Sequence, residues 1–154
     1  MKVLFLDIDG VLNDDETYKT DRTPDGFCGI DSNKVLLLKE IIDSTKAKIV
    51  LSSSWKDFWG DETNPDNKYL NDKLAEAGLV IMDKTIDNWA NRGEGITNYV
   101  KEHDVDNYIL LDDEIFDDYE KFNLLDKLIL TDEAVGLTKE NVKDAIKLLG
   151  EEEE

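Results

Sequence analysis

Short apolar runs and longer amphipathic ones alternate along this chain. Residues 3–6, 48–51, 79–82, 108–111 and 128–130 are five apolar stretches of strand length. Near-continuous apolarity over so few residues marks strands covered on both faces. Between them the spacing becomes helical. Residues 34–45 place Val35, Leu38, Ile41 and Ile42 at helical intervals, with Asp31 or Ser32 as an N-cap. Residues 69–77 are amphipathic and run into Gly78, a good helix-stop residue. Residues 93–103 bring Ile96, Tyr99 and Val100 together, and 138–149 do the same with Val142, Ala145, Ile146 and Leu149 before Gly150. Thr138 and Asn141 make a weak capping start to that last helix. Strands alternating with helices predict an α/β fold around a mainly parallel, five-stranded sheet. Right-handed crossovers then carry every strand's C-terminal end to one edge.

Composition adds bounds. The 154 residues suit one domain over 1–150, followed by a like-charged tail at 151–154 that is expected to fray. The net charge of −19 opposes broad contact with a nucleic-acid track or an anionic membrane. It does not oppose one phosphate ester held at a local cation. Cys28 is the only cysteine, so no disulfide can form within the chain. The opening apolar run is too short for a signal peptide, and no stretch approaches the roughly 20 apolar residues of a membrane span. A cytoplasmic setting is the expectation.

If the strand ends converge, the residues there should form a site. The first strand ends in Asp7-Ile8-Asp9-Gly10-Val11, two carboxylates and a glycine that lets the chain turn. The second ends in Ser52-Ser53-Ser54, the third in Asp83-Lys84, and the fourth in Asp112-Asp113, with Glu114, Asp117 and Asp118 close behind. Arg92 stands just before the helix that leads into the fourth strand. Clustered carboxylates suit a hard divalent cation such as Mg²⁺. A hydroxyl and a guanidinium suit the equatorial oxygens of a phosphoryl group.

At these positions the chain resembles the haloacid dehalogenase-like hydrolases. Their first motif is similar to Asp7-Ile8-Asp9-Gly10-Val11 and their second to Ser52. Their third is best matched by Arg92, and their fourth by Asp112-Asp113. The resemblance implies a three-layer Rossmann-like sandwich and a phosphomonoesterase. Asp7 would be the nucleophile and form an aspartyl-phosphate, and Asp9 the proton donor and then the base. Mg²⁺ would be held by Asp7, by the main-chain carbonyl of Asp9, and by Asp113 or Asp112. Ser52 and Arg92 would grip the phosphoryl group. Dehalogenases lack the second acid and P-type ATPases carry Thr there, so Asp9 points to a phosphatase. Leu51-Ser52-Ser53-Ser54-Trp55-Lys56 and Arg92-Gly93-Glu94-Gly95-Ile96 resemble a small subgroup found in RNA-repair and phage-type proteins.

Several assignments stay open at this level. Ser53 competes with Ser52, Lys84 and Lys56 with Arg92, and any of the three serines could simply cap the helix that follows. Asp117 could add a metal contact, but it and Asp118 read better as solvated. His103, at a helix C-terminus, and Cys28, without metal-type partners, read as structural. Trp55, Trp59 and Trp89 read as packing groups, with Trp55 or Trp59 a candidate wall of the substrate pocket. Residues 13–30 are a polar loop or flap too short for a cap domain, and 56–67 form a second modest excursion. An open site of this kind fits a small ester, a nucleotide, or the terminal phosphate of a polynucleotide or phosphoprotein. A polynucleotide 3′-phosphatase, a nucleotidase and a silent phosphate- or metal-binding module are the alternatives to a general phosphomonoesterase. Oligomeric state is not legible.

Overall fold

A computed structural model describes residues 1–88 and 90–150. Trp89 and the acidic tail at 151–154 lie outside the described residues. Five strands, β1 (Lys2–Leu6), β2 (Lys48–Leu51), β3 (Ile81–Lys84), β4 (Asn107–Asp112) and β5 (Leu128–Leu130), form one sheet in the order β3-β2-β1-β4-β5. All four pairings are parallel. The helices are α1 (Thr17–Thr20), α2 (Ser32–Thr45), α3 (Pro65–Ala75), α4 (Arg92–Glu102) and α5 (Lys139–Leu149).

Strand periodicity sorts the core into two layers. Leu4, Leu6, Ile49, Leu51, Ile109 and Leu111 face α2, α3 and α5, and pack on Val35, Leu38, Ile41, Leu70, Leu74, Val142 and Ala145. Their alternates Val3, Phe5, Val50 and Leu110 face the other way and pack on Ile96 and Tyr99 of α4, with Tyr119 and Leu124 from the segment after β4. The result is the expected three-layer α/β sandwich.

The chain winds outward from β1 through β2 to β3, returns through α4, and restarts at β4 on the other side of β1. The crevice between β1 and β4 is therefore a point where the winding reverses, where open sheets bind ligands. A short flap borders the cleft that holds Asp9 and Asp113. It consists of α1 and a turn closed by an antiparallel bridge between Arg22 and Cys28. The turn is anchored at Asp66 of α3, which accepts from the Thr23 hydroxyl (2.9 Å) and the Asp25 amide (3.1 Å).

Element ends moved in places. β3 pairs over Ile81–Lys84 rather than 79–82, because Leu79 is spent closing the turn after α3, its amide donating to the Leu74 carbonyl. Val80 points to solvent, and the pairing slips by one residue against Ile49 and Val50. α3 starts four residues early at Pro65, whose fixed φ and missing N–H suit a first helical position; Asn64 caps it. Thr138 and Asn141 form a reciprocal capping box at α5. No helix among the described residues is long and apolar enough to cross a membrane.

Candidate active site

Register alone brings the main groups together. Leu6 pairs with Leu51 on one side and Leu111 on the other. The next residues, Asp7, Ser52 and Asp112, therefore share one rung at the C-terminal rim. Main-chain bonds extend the ladder through that rung: the Asp7 amide donates to the Leu111 carbonyl (3.0 Å), and the Ser52 amide to Leu6 (2.9 Å).

After Asp7 the chain must turn within three residues. Gly10 does this at φ +79°, a conformation that opposes any side chain, and a Cβ there would overlap the Asp113 carboxylate. Gly10 is thus both turn and clearance. The Thr131 hydroxyl, just beyond β5, donates to the Gly10 carbonyl (2.6 Å) and ties the turn to the sheet.

Oxygens of Asp7, Asp112 and Asp113 lie within 4.8 Å of one another. Arg92 reaches them from the start of α4, with Nη1 3.0 Å from Asp112 Oδ2 and 3.5 Å from Asp7 Oδ1. Its guanidinium lies 4.1 Å from the centre of the Phe116 ring. The Asp112 carboxylate is fully engaged. Oδ2 accepts from Arg92 and from the Tyr119 hydroxyl (2.8 Å), and Oδ1 from the Glu114 amide (3.1 Å). Burial and the charge of Asp112 push the Asp7 carboxyl well above the usual carboxylate range, against the pull of Arg92. Burial likewise pushes Asp113 up to about 6. Three carboxylates confront one guanidinium in a largely dry pocket, which leaves uncompensated negative charge. That donor set, all oxygen and too negative for itself, fits a hard divalent cation.

The sequence alternatives separate in space. Ser53 Oγ accepts from the Trp55 amide (3.2 Å) and so caps the 3₁₀ turn Ser54–Asp57. Ser52 Oγ makes no hydrogen bond among the described residues, although the residue is buried. Lys84 Nζ donates to the carbonyls of Lys56 (2.8 Å) and Trp59 (3.2 Å). Lys56 pairs with the buried Asp87 (2.8 Å). Of the three candidate cations, Arg92 is the one in contact with Asp7 and Asp112.

Asp9 is exposed, but both its oxygens are held: Oδ2 accepts from Trp55 Nε1 and Oδ1 from Asn13 Nδ2, each at 3.0 Å. The carboxylate of Asp9 is not part of the Asp7–Asp112–Asp113 group. It opens onto a cleft of about 580 Å³ lined also by Asn13, Tyr18, Arg22, Cys28 and Asp113. Arg92 opens onto a second cleft of about 230 Å³, with Ser54, Lys56, Asn88 and Phe116. Trp55 packs in the core and reaches Asp9 only through its indole N–H, and Trp59 bonds to Asn71 (3.1 Å); neither is among the residues lining these two clefts. His103 stacks on Tyr99 at 3.8 Å and its Nδ1 pairs with the Tyr99 carbonyl, a structural role as expected.

Asp118 departs from its expected solvated role. It is not simply solvated: Oδ1 and Oδ2 accept from the Gly93 and Glu94 amides at 2.9 Å each, capping α4 from outside because Asn91 makes no side-chain cap. A Cβ on Gly93 would crowd Asp118, and one on Gly95 would crowd Asp87. The two glycines of Arg92-Gly93-Glu94-Gly95 are thus explained as clearance for two carboxylates that seat the helix and pair Lys56. Sequence reading missed Asn13, Tyr119 and Asp87, and the capping role of Asp118. Only the polar character of Asn13, so close behind Asp9, hinted at a role.

A parallel α/β sandwich with an aspartate just past the end of its central strand, an acid two residues on, and a hydroxyl, a guanidinium and an acidic pair at the same rim fits the class of HAD-type hydrolases. Within it, this chain belongs to the family of HAD domains found in Swiss Army Knife RNA repair proteins, whose family model matches residues 3–142. No curated protein and no solved structure matches the chain.

Proposed function

We propose that the chain is a Mg²⁺-dependent phosphomonoesterase that works through an aspartyl-phosphate on Asp7. One observation carries this reading: Asp7 sits in the same rung as the Ser52 hydroxyl, which has no hydrogen-bond partner among the described residues, in contact with Arg92 and within carboxylate reach of Asp113. An Asp7 oxygen attacks phosphorus while the ester P–O bond breaks, and Asp9 gives its proton to the departing oxygen. Water then attacks phosphorus, Asp9 takes its proton, the Asp7–phosphorus bond breaks, and inorganic phosphate leaves. Ser52 and Arg92 hold the phosphoryl oxygens through both steps. Asp7, Asp113 and the main-chain carbonyl of Asp9 would hold the metal, with Asp112 beside them holding Arg92. Bound there, Mg²⁺ would offset the carboxylate repulsion and the charge of the entering dianion.

A generic aryl phosphate, with and without Mg²⁺, tests the reading. Asp7→Asn should abolish turnover with the fold intact, because uncatalysed phosphate-monoester hydrolysis is among the slowest reactions known. Substantial remaining activity in a folded Asp7→Asn protein would refute the assignment.

The substrate class is a phosphate ester. A narrower reading, a polynucleotide 3′-phosphatase or nucleotidase, draws support from the family's place in RNA repair proteins and from the open cleft beside Asp9, where Tyr18 and Arg22 are exposed at the flap. The net charge argues that such a substrate is met at its end rather than along its length. Comparing 3′-phosphorylated oligonucleotides with mononucleotides separates these. The intact Asp7-x-Asp9 pair argues against a silent binding module, and the short flap against a phosphomutase, which must retain its intermediate.

A further inference from the structure

We propose that Trp55 and Asn13 are positioning residues that aim Asp9 at the leaving group; this rests on the phosphatase reading above. Asp9 lies past the end of β1, exposed and on a turn, where a carboxylate would ordinarily sample several rotamers. Here each oxygen is met by a donor that cannot move far. Trp55 is 6% exposed, its ring packs against Phe58 at 5.5 Å, and it belongs to a turn capped by Ser53 and tied down by Lys84. Its N–H, a donor with no acceptor capacity, points at Asp9 Oδ2.

Asn13 is equally constrained. Its Oδ1 accepts from the Gly10 amide (2.9 Å), while its Nδ2 donates both to Asp9 Oδ1 (3.0 Å) and to the Gly29 carbonyl (2.9 Å). The opposite amide orientation would set its oxygen against a carboxylate and a carbonyl and its NH₂ against an amide donor, so the observed one is required. Three chain segments meet at Asp9 through these two side chains: the turn after β1, the end of the flap, and the turn after β2. Each carboxylate oxygen keeps a second lone pair, so a proton can still sit on Asp9 and pass to the ester oxygen as its bond to phosphorus breaks.

Positioning of an acid leaves a signature that packing does not. An ester whose leaving group departs unaided needs little proton donation, whereas a poor leaving group needs it fully. The experiment compares kcat/KM for dinitrophenyl phosphate and for unsubstituted phenyl phosphate. It uses the full chain as wild type, Asp9→Asn, Trp55→Phe and Asn13→Asp, with folding checked by circular dichroism. Trp55→Phe removes the donor and keeps most of the ring; Asn13→Asp keeps the acceptor for Gly10 and loses both donors. Each should lower the phenyl-to-dinitrophenyl ratio by roughly tenfold to a hundredfold, the scale of a misplaced catalytic group. Asp9→Asn should lower it at least as far, and adding Trp55→Phe to Asp9→Asn should lower it no further. If Trp55→Phe fails to fold, Asn13→Asp carries the same test. Equal losses on both esters, or a further fall of the ratio in the double variant, would overturn the positioning role alone. A folded wild type inert to both esters would instead overturn the phosphatase reading.

Discussion

Removing one negative charge from the site should stabilise the metal-free protein, and only at pH values where that charge exists. The perturbation is Asp113→Asn. Burial and the neighbouring Asp112 raise this carboxyl from 3.8 to about 6. That is a little over two decades of proton affinity, or about 3 kcal/mol at 1.36 kcal/mol per decade. The side chain is half-open to water, which screens the repulsion, so about 1–2 kcal/mol is expected. The direction follows from linkage. The folded state holds this proton more tightly than the unfolded one, so the contribution of Asp113 to stability is greatest below pH 4, falls as the pH rises toward 6, and carries the full penalty above it. In EDTA at pH 8, Asp113→Asn should raise the unfolding midpoint by about 3–6 °C for a chain of this size. Near pH 4 it should do almost nothing. Asp144→Asn, an exposed change of equal charge on α5, serves as the control for net charge. Adding Mg²⁺ at pH 8 should raise the wild-type midpoint more than the variant's. A midpoint at pH 8 no higher than the control's, or a gain of equal size at both pH values, would refute the account of a self-repelling cluster.

Arg92→Met should cut kcat/KM for an aryl phosphate by at least a hundredfold, on the scale of losing a charged transition-state contact, while Lys84→Met, which removes only donors to two carbonyls, should lower thermal stability and leave KM alone; steady-state kinetics beside melting curves distinguishes them. Asp118→Ala should cost about 1 kcal/mol in urea unfolding, the usual worth of a helix cap, and should also lower kcat/KM, because the turn it seats carries Arg92. Gly10→Ala should reduce Mg²⁺ stabilisation of the melt more than it reduces metal-free stability, since its Cβ occupies the place of the Asp113 carboxylate.

How much of this was legible before folding differs by element. The five strands and four main helices could be read because burial on both faces and 3.6-residue spacing leave local marks. β3 misled by two residues, since Leu79 and Val80 are apolar for a turn contact and an exposed edge rather than for pairing. α1 is one turn in a polar flap and has no periodicity to show.

The sequence by itself determined the chemistry on offer: two acids and a glycine after one apolar run, hydroxyls after another, an acidic pair after a third, and one arginine ahead of it. Alternation of strand and helix also determined that these ends share an edge. Only the tertiary structure decided which members of each set meet. Register put Ser52 beside Asp7 and turned Ser53 into a cap. The return of α4 to β4 brought Arg92 to Asp7, while Lys84 and Lys56 were spent on carbonyls and on Asp87. Asn13, Trp55, Tyr119 and Asp118 entered because a side chain's partner is set by where distant segments are packed, which no local pattern of polar and apolar residues encodes.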